Sequence, residues 1–110
     1  MIQIRSETRS RLKTAFRNDA GQRHREDGPA VIYYRPDGRV DWEYYYVQDQ
    51  KHREDGPALT TYRPDGSVER EEYFLRGERH RADGPALIEY REEGRVGREK
   101  YYIRDQCQQI

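Results

Sequence analysis

Three histidines, His24, His52 and His80, each sit in the same short string, His-Arg-x-Asp-Gly-Pro-Ala, and a set of His, Arg and Asp repeated in this way invites a metal or an acid–base reading. Spacing argues against both. If each string belongs to one unit of two strands, equivalent positions in neighbouring units lie about 9.6 Å apart, at roughly 4.8 Å per strand. Zinc needs all its ligands about 2 Å from a single point. A catalytic centre is also normally unique, whereas each residue of this motif occurs three times. The motif therefore reads as structural, with Arg25, Arg53 and Arg81 paired to Asp27, Asp55 and Asp83 at turns and between units. Ser6, Ser10 and Ser67 have no Ser-x-x-Lys or Gly-x-Ser-x-Gly context, and no glycine-rich phosphate loop is present. Cys107, the only cysteine, excludes an intrachain disulfide and reads as a polar-loop replacement and not as a reactive thiol. The expectation is no enzyme, no cofactor and no metal.

The elements that hold these residues follow from self-similarity. Aligned on the histidines, residues 24–51, 52–79 and 80–107 are three gapless copies of a 28-residue unit, with 12 columns identical in all three. A fixed period of this kind marks an array whose units bury apolar surface only against their neighbours. In the first copy, Ala30 to Arg35 and Val40 to Gln48 are rich in Tyr, Val, Ile and Trp and read as strands. Arg35-Pro36-Asp37-Gly38 between them reads as a tight hairpin turn, repeated at Arg63–Gly66 and, without proline, at Arg91–Gly94. The Asp-Gly-Pro of the histidine motif reads as a second turn leading into the next strand. The predicted fold is all-β: tandem antiparallel hairpins forming one elongated, twisted meander sheet. Residues 1–23 form a basic N-terminal segment in which Arg11 to Arg23 resembles a worn half-unit, with Phe16 in the tyrosine column and one residue inserted. Residues 1–10 read as an edge strand or a flexible lead, and 108–110 as a tail.

Composition suits a thin sheet better than a globule. Only 33% of the 110 residues are hydrophobic and 38% are charged, a balance that on its own leans toward disorder. Against that stand zero net charge and ten tyrosines at regular positions. One column holds Tyr34, Tyr62 and Tyr90; another holds Tyr45, Tyr73 and Tyr101, followed two places on by Val47, Leu75 and Ile103. The adjacent column, Tyr46, Phe74 and Tyr102, points to the opposite face and is a candidate partner surface. Trp42 and Tyr44 are aromatic only in the first copy, where the others have Arg70 and Glu72 or Arg98 and Lys100. Trp and Tyr are favoured interface anchors, so this pair is the sharpest partner-binding candidate, the competing role being cover for the capping strand.

Residues 1–23 carry six Lys or Arg against two acids, while the remainder carries fifteen against nineteen. A nucleic-acid binder shows a net basic stripe. Only Arg5, Arg9, Arg11, Lys13 and Arg17 could contact phosphate, so nucleic acid is the second choice of partner, after another protein. No stretch reaches the roughly 20 apolar residues of a membrane span, and no signal-type apolar run opens the chain. A cytoplasmic protein, with self-association through exposed sheet edges as an option, is the expectation.

The motifs resemble those of the MORN-repeat superfamily, and more closely the YwqK-like antitoxin-type variants of bacterial, phage and large-virus proteins. The resemblance rests on the His-Arg-x-Asp-Gly-Pro-Ala strings, the hairpin glycines Gly38, Gly66 and Gly94, and the Glu-x-Tyr of Glu43–Tyr45, Glu71–Tyr73 and Glu99–Tyr101. It covers about three quarters of the chain. It implies stacked β-hairpins and protein binding, and names no target. MORN units are typically shorter, with His-Gly-x-Gly where this chain has His-Arg-x-Asp-Gly-Pro, so the lipid binding of some MORN proteins does not carry over.

Overall fold

In the computed structural model the backbone is described at residues 2–8 and 11–108, and side chains at residues 13–108. The architecture is all-β. Its main sheet has nine strands in the order β1-β2-β3-β4-β7-β8-β11-β12-β13, so sequence neighbours are sheet neighbours apart from two small ribbons that interrupt the count. The strands are β1 Ile2–Thr8, β2 Arg11–Arg17, β3 Val31–Tyr34, β4 Val40–Tyr44, β5 Tyr46–Val47, β6 Gln50–Lys51, β7 Leu59–Tyr62, β8 Val68–Glu72, β9 Phe74–Leu75, β10 Glu78–Arg79, β11 Leu87–Tyr90, β12 Val96–Ile103 and β13 Gln106–Gln108. Every pairing is antiparallel. The array measures 42 × 33 × 21 Å, a plank rather than a ball. Among the described residues no helix is long and apolar enough to cross a membrane.

The long hairpins close as the sequence suggests. Gly38 donates its N–H to the Arg35 carbonyl, Arg35 N–H donates to the Arg39 carbonyl, and Gly38 stands at φ 91°, a left-handed conformation that costs glycine little. The bonds recur at Arg63–Ser67 and Arg91–Arg95. Each hairpin carries a register shift one residue before the turn, at Tyr33/Tyr34, Thr61/Tyr62 and Glu89/Tyr90.

The second connection differs from the expectation in two ways. The strand expected to run from Val40 to Gln48 stops at Tyr44, because Tyr45 N–H turns away to the Ala58 carbonyl of the next unit while Tyr46 and Val47 pair with Lys51 and Gln50. The reversal then falls at Gln48 and Asp49, with φ 50° and 64°, and at Arg76–Gly77 and Arg104–Asp105, not at Asp-Gly-Pro. Two consecutive positive φ values make the tight turn that matches strand twist, and Asp and Gly tolerate its second position. In the third unit β12 runs unbroken, since among the described residues no following strand draws Tyr101 aside.

Residues 11–23 occupy the place of a preceding half-unit. Phe16 N–H bonds the Ala30 carbonyl at 2.7 Å, as Tyr45 bonds Ala58 and Tyr73 bonds Ala86. Arg17 bridges Arg23 across a loop one residue longer than that between Tyr46 and Lys51, with Gly21 at φ 82°. Beyond it, β1 adds an edge strand paired along Ile2–Thr8.

Candidate functional site

Cross-strand register assigns the side chains to faces, because directly paired residues point the same way. One face carries the rows Lys13, Tyr33, Trp42, Thr61, Arg70, Glu89, Arg98 and Ala15, Val31, Tyr44, Leu59, Glu72, Leu87, Lys100. The opposite face carries Thr14, Ile32, Glu43, Thr60, Glu71, Ile88 and Glu99. The alternation is that of any strand; what matters is how each face is closed.

The histidine motif is spent on closing the opposite face and its loops. His24 Nδ1 accepts the Gln48 N–H at 3.0 Å, and His52 and His80 accept those of Arg76 and Arg104 at 2.9 and 3.1 Å, so each imidazole caps the short turn of its own unit. An accepting Nδ1 leaves the proton on Nε2, which points toward Glu26 and Glu54 in the first two units. Arg25, Arg53 and Arg81 lie 4.1 Å over the rings of Phe16, Tyr45 and Tyr73 of the preceding unit. They pair with Asp27, Asp55 and Asp83, as the sequence suggested, and each donates to a proline carbonyl. That pairing holds the Asp27 carboxyl below its ordinary range. The glycine of Asp-Gly-Pro makes room for this arrangement: a Cβ on Gly28, Gly56 or Gly84 would lie 2.7–3.0 Å from the guanidinium carbon. The chain bends at all three glycines, but the glycine's job is close approach, and the strand reversal lies elsewhere.

Tyr62 and Tyr90 donate their hydroxyls back to Glu43 and Glu71 of the preceding unit at 2.8 and 2.6 Å. Burial first, and then the bonded carboxylate, push the Tyr62 hydroxyl well up and that of Tyr90 to about 12. Arg35 reaches the Tyr62 carbonyl, and Arg63 the Tyr90 carbonyl. The residues shared by the three copies are thus spent on capping turns within units and joining one unit to the next.

The first face behaves differently at its N-terminal end. Tyr46 and Phe74, expected on an accessible partner surface, are buried at 8% and 5% exposure. The strand break at Tyr45 folds their ribbons inward, where Arg23 covers the Tyr46 ring at 4.2 Å, Lys51 the Phe74 ring at 4.9 Å and Arg79 the Tyr102 ring at 5.6 Å. Tyr46 packs with Ala30 and Val31, and both it and Phe74 belong to the core; Tyr102 is half-buried. Trp42 and Tyr44 do share a face and stay half-buried in the sheet surface. Trp42 packs against Tyr33, ring centres 4.7 Å apart, and Tyr44 lies 5.9 Å from Tyr46. Lys13 stands 5.4 Å over Tyr33, so Tyr33 meets the capping strand here. Tyr33 was not singled out from sequence; Trp42 across the hairpin, two residues from Tyr44, was the available signal. Burial raises the Tyr44 and Tyr46 hydroxyls.

Of the basic segment, Arg17 is used internally, donating to the Gly21 carbonyl at 2.7 Å, and Lys13 caps Tyr33. The side chains of Arg5 and Arg11, and all of Arg9, lie outside the described residues. Among the described residues no three His, Cys, Asp or Glu side chains cluster closely enough to hold a metal ion. Compared with known families, curated proteins and solved structures, the chain matches none.

Proposed function

We propose that this chain is a non-enzymatic protein-binding module, a small antitoxin-type or phage-type inhibitor that blocks or scaffolds another protein through the aromatic patch of its first unit. The observation that carries the reading is the division of labour among the side chains. Histidine, arginine and the recurring tyrosines are engaged in caps, guanidinium–ring stacks and inter-unit hydrogen bonds. Tyr33, Trp42 and Tyr44 are not needed for that scheme, since Thr61, Arg70 and Glu72 fill the same positions one unit on. Aromatic side chains concentrated on an open sheet face, and held by rigid strands, are what an interface core requires. The resemblance of the motifs to antitoxin-type MORN variants supports the same class.

The test is affinity purification from the native host with wild type and with Trp42→Arg/Tyr44→Glu, which installs the residues of the second unit. A protein retained by the wild type and lost from an equally stable variant is the expected result. Equal retention by both would move the binding surface elsewhere.

A further inference from the structure

The charge around the patch specifies what it takes. Arg23 is paired with Asp49 at 3.0 Å, and Arg70 and Arg79 both reach Glu72, at 3.4 and 3.0 Å. Lys13 and Lys51 are different: among the described residues neither forms an ion pair, and their ammonium groups rest on aromatic rings, Lys13 over Tyr33 at 5.4 Å and Lys51 over Tyr44 at 5.6 Å. A ring attracts a cation without cancelling its charge. Two positive charges without an ion-pair partner among the described residues therefore flank the aromatic residues.

Beside Lys13 a hollow of ≈ 200 Å³ is lined by Lys13, Arg23, Val31, Tyr33, Trp42, Tyr44 and Tyr46, and Lys51 adjoins it through the Tyr44 ring. That is below the roughly 300–1,000 Å³ of small-molecule sites, and fits a single inserted side chain. On the other side of the sheet Glu43, Glu71 and Glu99 share one row.

We propose that the first-unit patch recognises an acidic protein segment, one that sets an aromatic or large apolar side chain into the hollow and carboxylates against Lys13 and Lys51. The inference rests on the protein-binding reading and adds the chemistry of the partner. Single-stranded nucleic acid would also bring negative charge, but it needs free ring faces for stacking and a continuing basic track. Here Lys13 and Lys51 already cover the rings of Tyr33 and Tyr44, Trp42 packs on Tyr33, and the two rows run into Glu72 and Glu89.

The experiment selects a random peptide library on the immobilised protein and on two variants, Lys13→Glu/Lys51→Glu and the milder Lys13→Gln/Lys51→Gln. Selected peptides are then titrated while the emission of Trp42, the only tryptophan in the chain, is followed. The wild type is expected to enrich peptides with an aromatic residue among Asp and Glu, to shift Trp42 emission saturably, and to lose about tenfold in affinity on charge reversal and with added salt. Neutral or basic winners that still shift Trp42 would overturn the acidic assignment and leave the docking surface standing. No selected peptide, or only peptides that leave Trp42 unmoved, would overturn both. Displacement of the winners by a deoxythymidine decamer at lower concentration would put nucleic acid in their place.

Discussion

Replacing Gly56 by alanine tests the reason given for the Asp-Gly-Pro glycine. Gly56 is outside the left-handed region, so on backbone grounds alone alanine should stabilise the fold by about 0.4–1 kcal/mol through the unfolded chain. The structure predicts the opposite sign. A Cβ at this position would stand 2.7 Å from the Arg53 guanidinium carbon, and that guanidinium is held 4.1 Å over Tyr45 while donating to the Pro57 carbonyl at 3.1 Å and to Asp55 at 3.0 Å. Expelling it forfeits about 0.5–1 kcal/mol of cation–ring attraction. The part-buried charged hydrogen bond to Pro57 adds about 1.5–3 kcal/mol, while the exposed Asp55 pair adds little. Net destabilisation should be about 1–3 kcal/mol, read by urea or thermal unfolding. The decisive comparison is a double-mutant cycle. In an Arg53→Ala background nothing is left to displace, so Gly56→Ala should there be neutral or stabilising. Additive effects, or a stabilised single variant, would refute the close-approach argument.

Gly66, at φ 90° with open space around its Cα, should respond to backbone strain alone: Gly66→Val should lower the melting temperature clearly more than Ser67→Ala, and equal values would remove the turn from the account. The inter-unit tyrosines should make the array sensitive to alkali. Their folded hydroxyls titrate above the ordinary value of 10.0, so the stability they contribute is complete below pH 10 and is lost as pH rises from there through about 12 for Tyr90 and beyond for Tyr62. Tyr62→Phe should flatten that alkaline loss in urea titrations at successive pH values, and an unchanged profile would count against the Tyr62–Glu43 bond.

The long hairpins were legible because Pro-Asp-Gly names its own turn, and the cap because Phe16 and Gly21 keep their places. The short ribbons were not. Gln48-Asp49 and Arg104-Asp105 need positive φ at both residues, a demand that only Gly77 in the second unit declares openly, and the strand break at Tyr45 depends on the Ala58 carbonyl of the next unit. That break moved Tyr46 and Phe74 from an accessible surface to the core. Alternation along one continuous strand could not anticipate it. The Trp42–Tyr44 pair was legible from asymmetry between copies, whereas Tyr33 needed the hairpin register, which pairs it directly with Trp42. The role of Asp-Gly-Pro was misread for a related reason: glycine beside Asp suggests a turn, while its use here depends on an arginine three residues earlier folding back over it.

The proposed partner site is the first-unit aromatic patch, and Trp42 as sole tryptophan reports on it directly. With 5-fluorotryptophan incorporated, the protein gives a single fluorine resonance, to be followed as the protein retained in affinity purification is added. The resonance is expected to shift or broaden to a new position and to saturate at the stoichiometry of the complex. A complex that forms fully while the resonance stays where it was would contradict that site assignment.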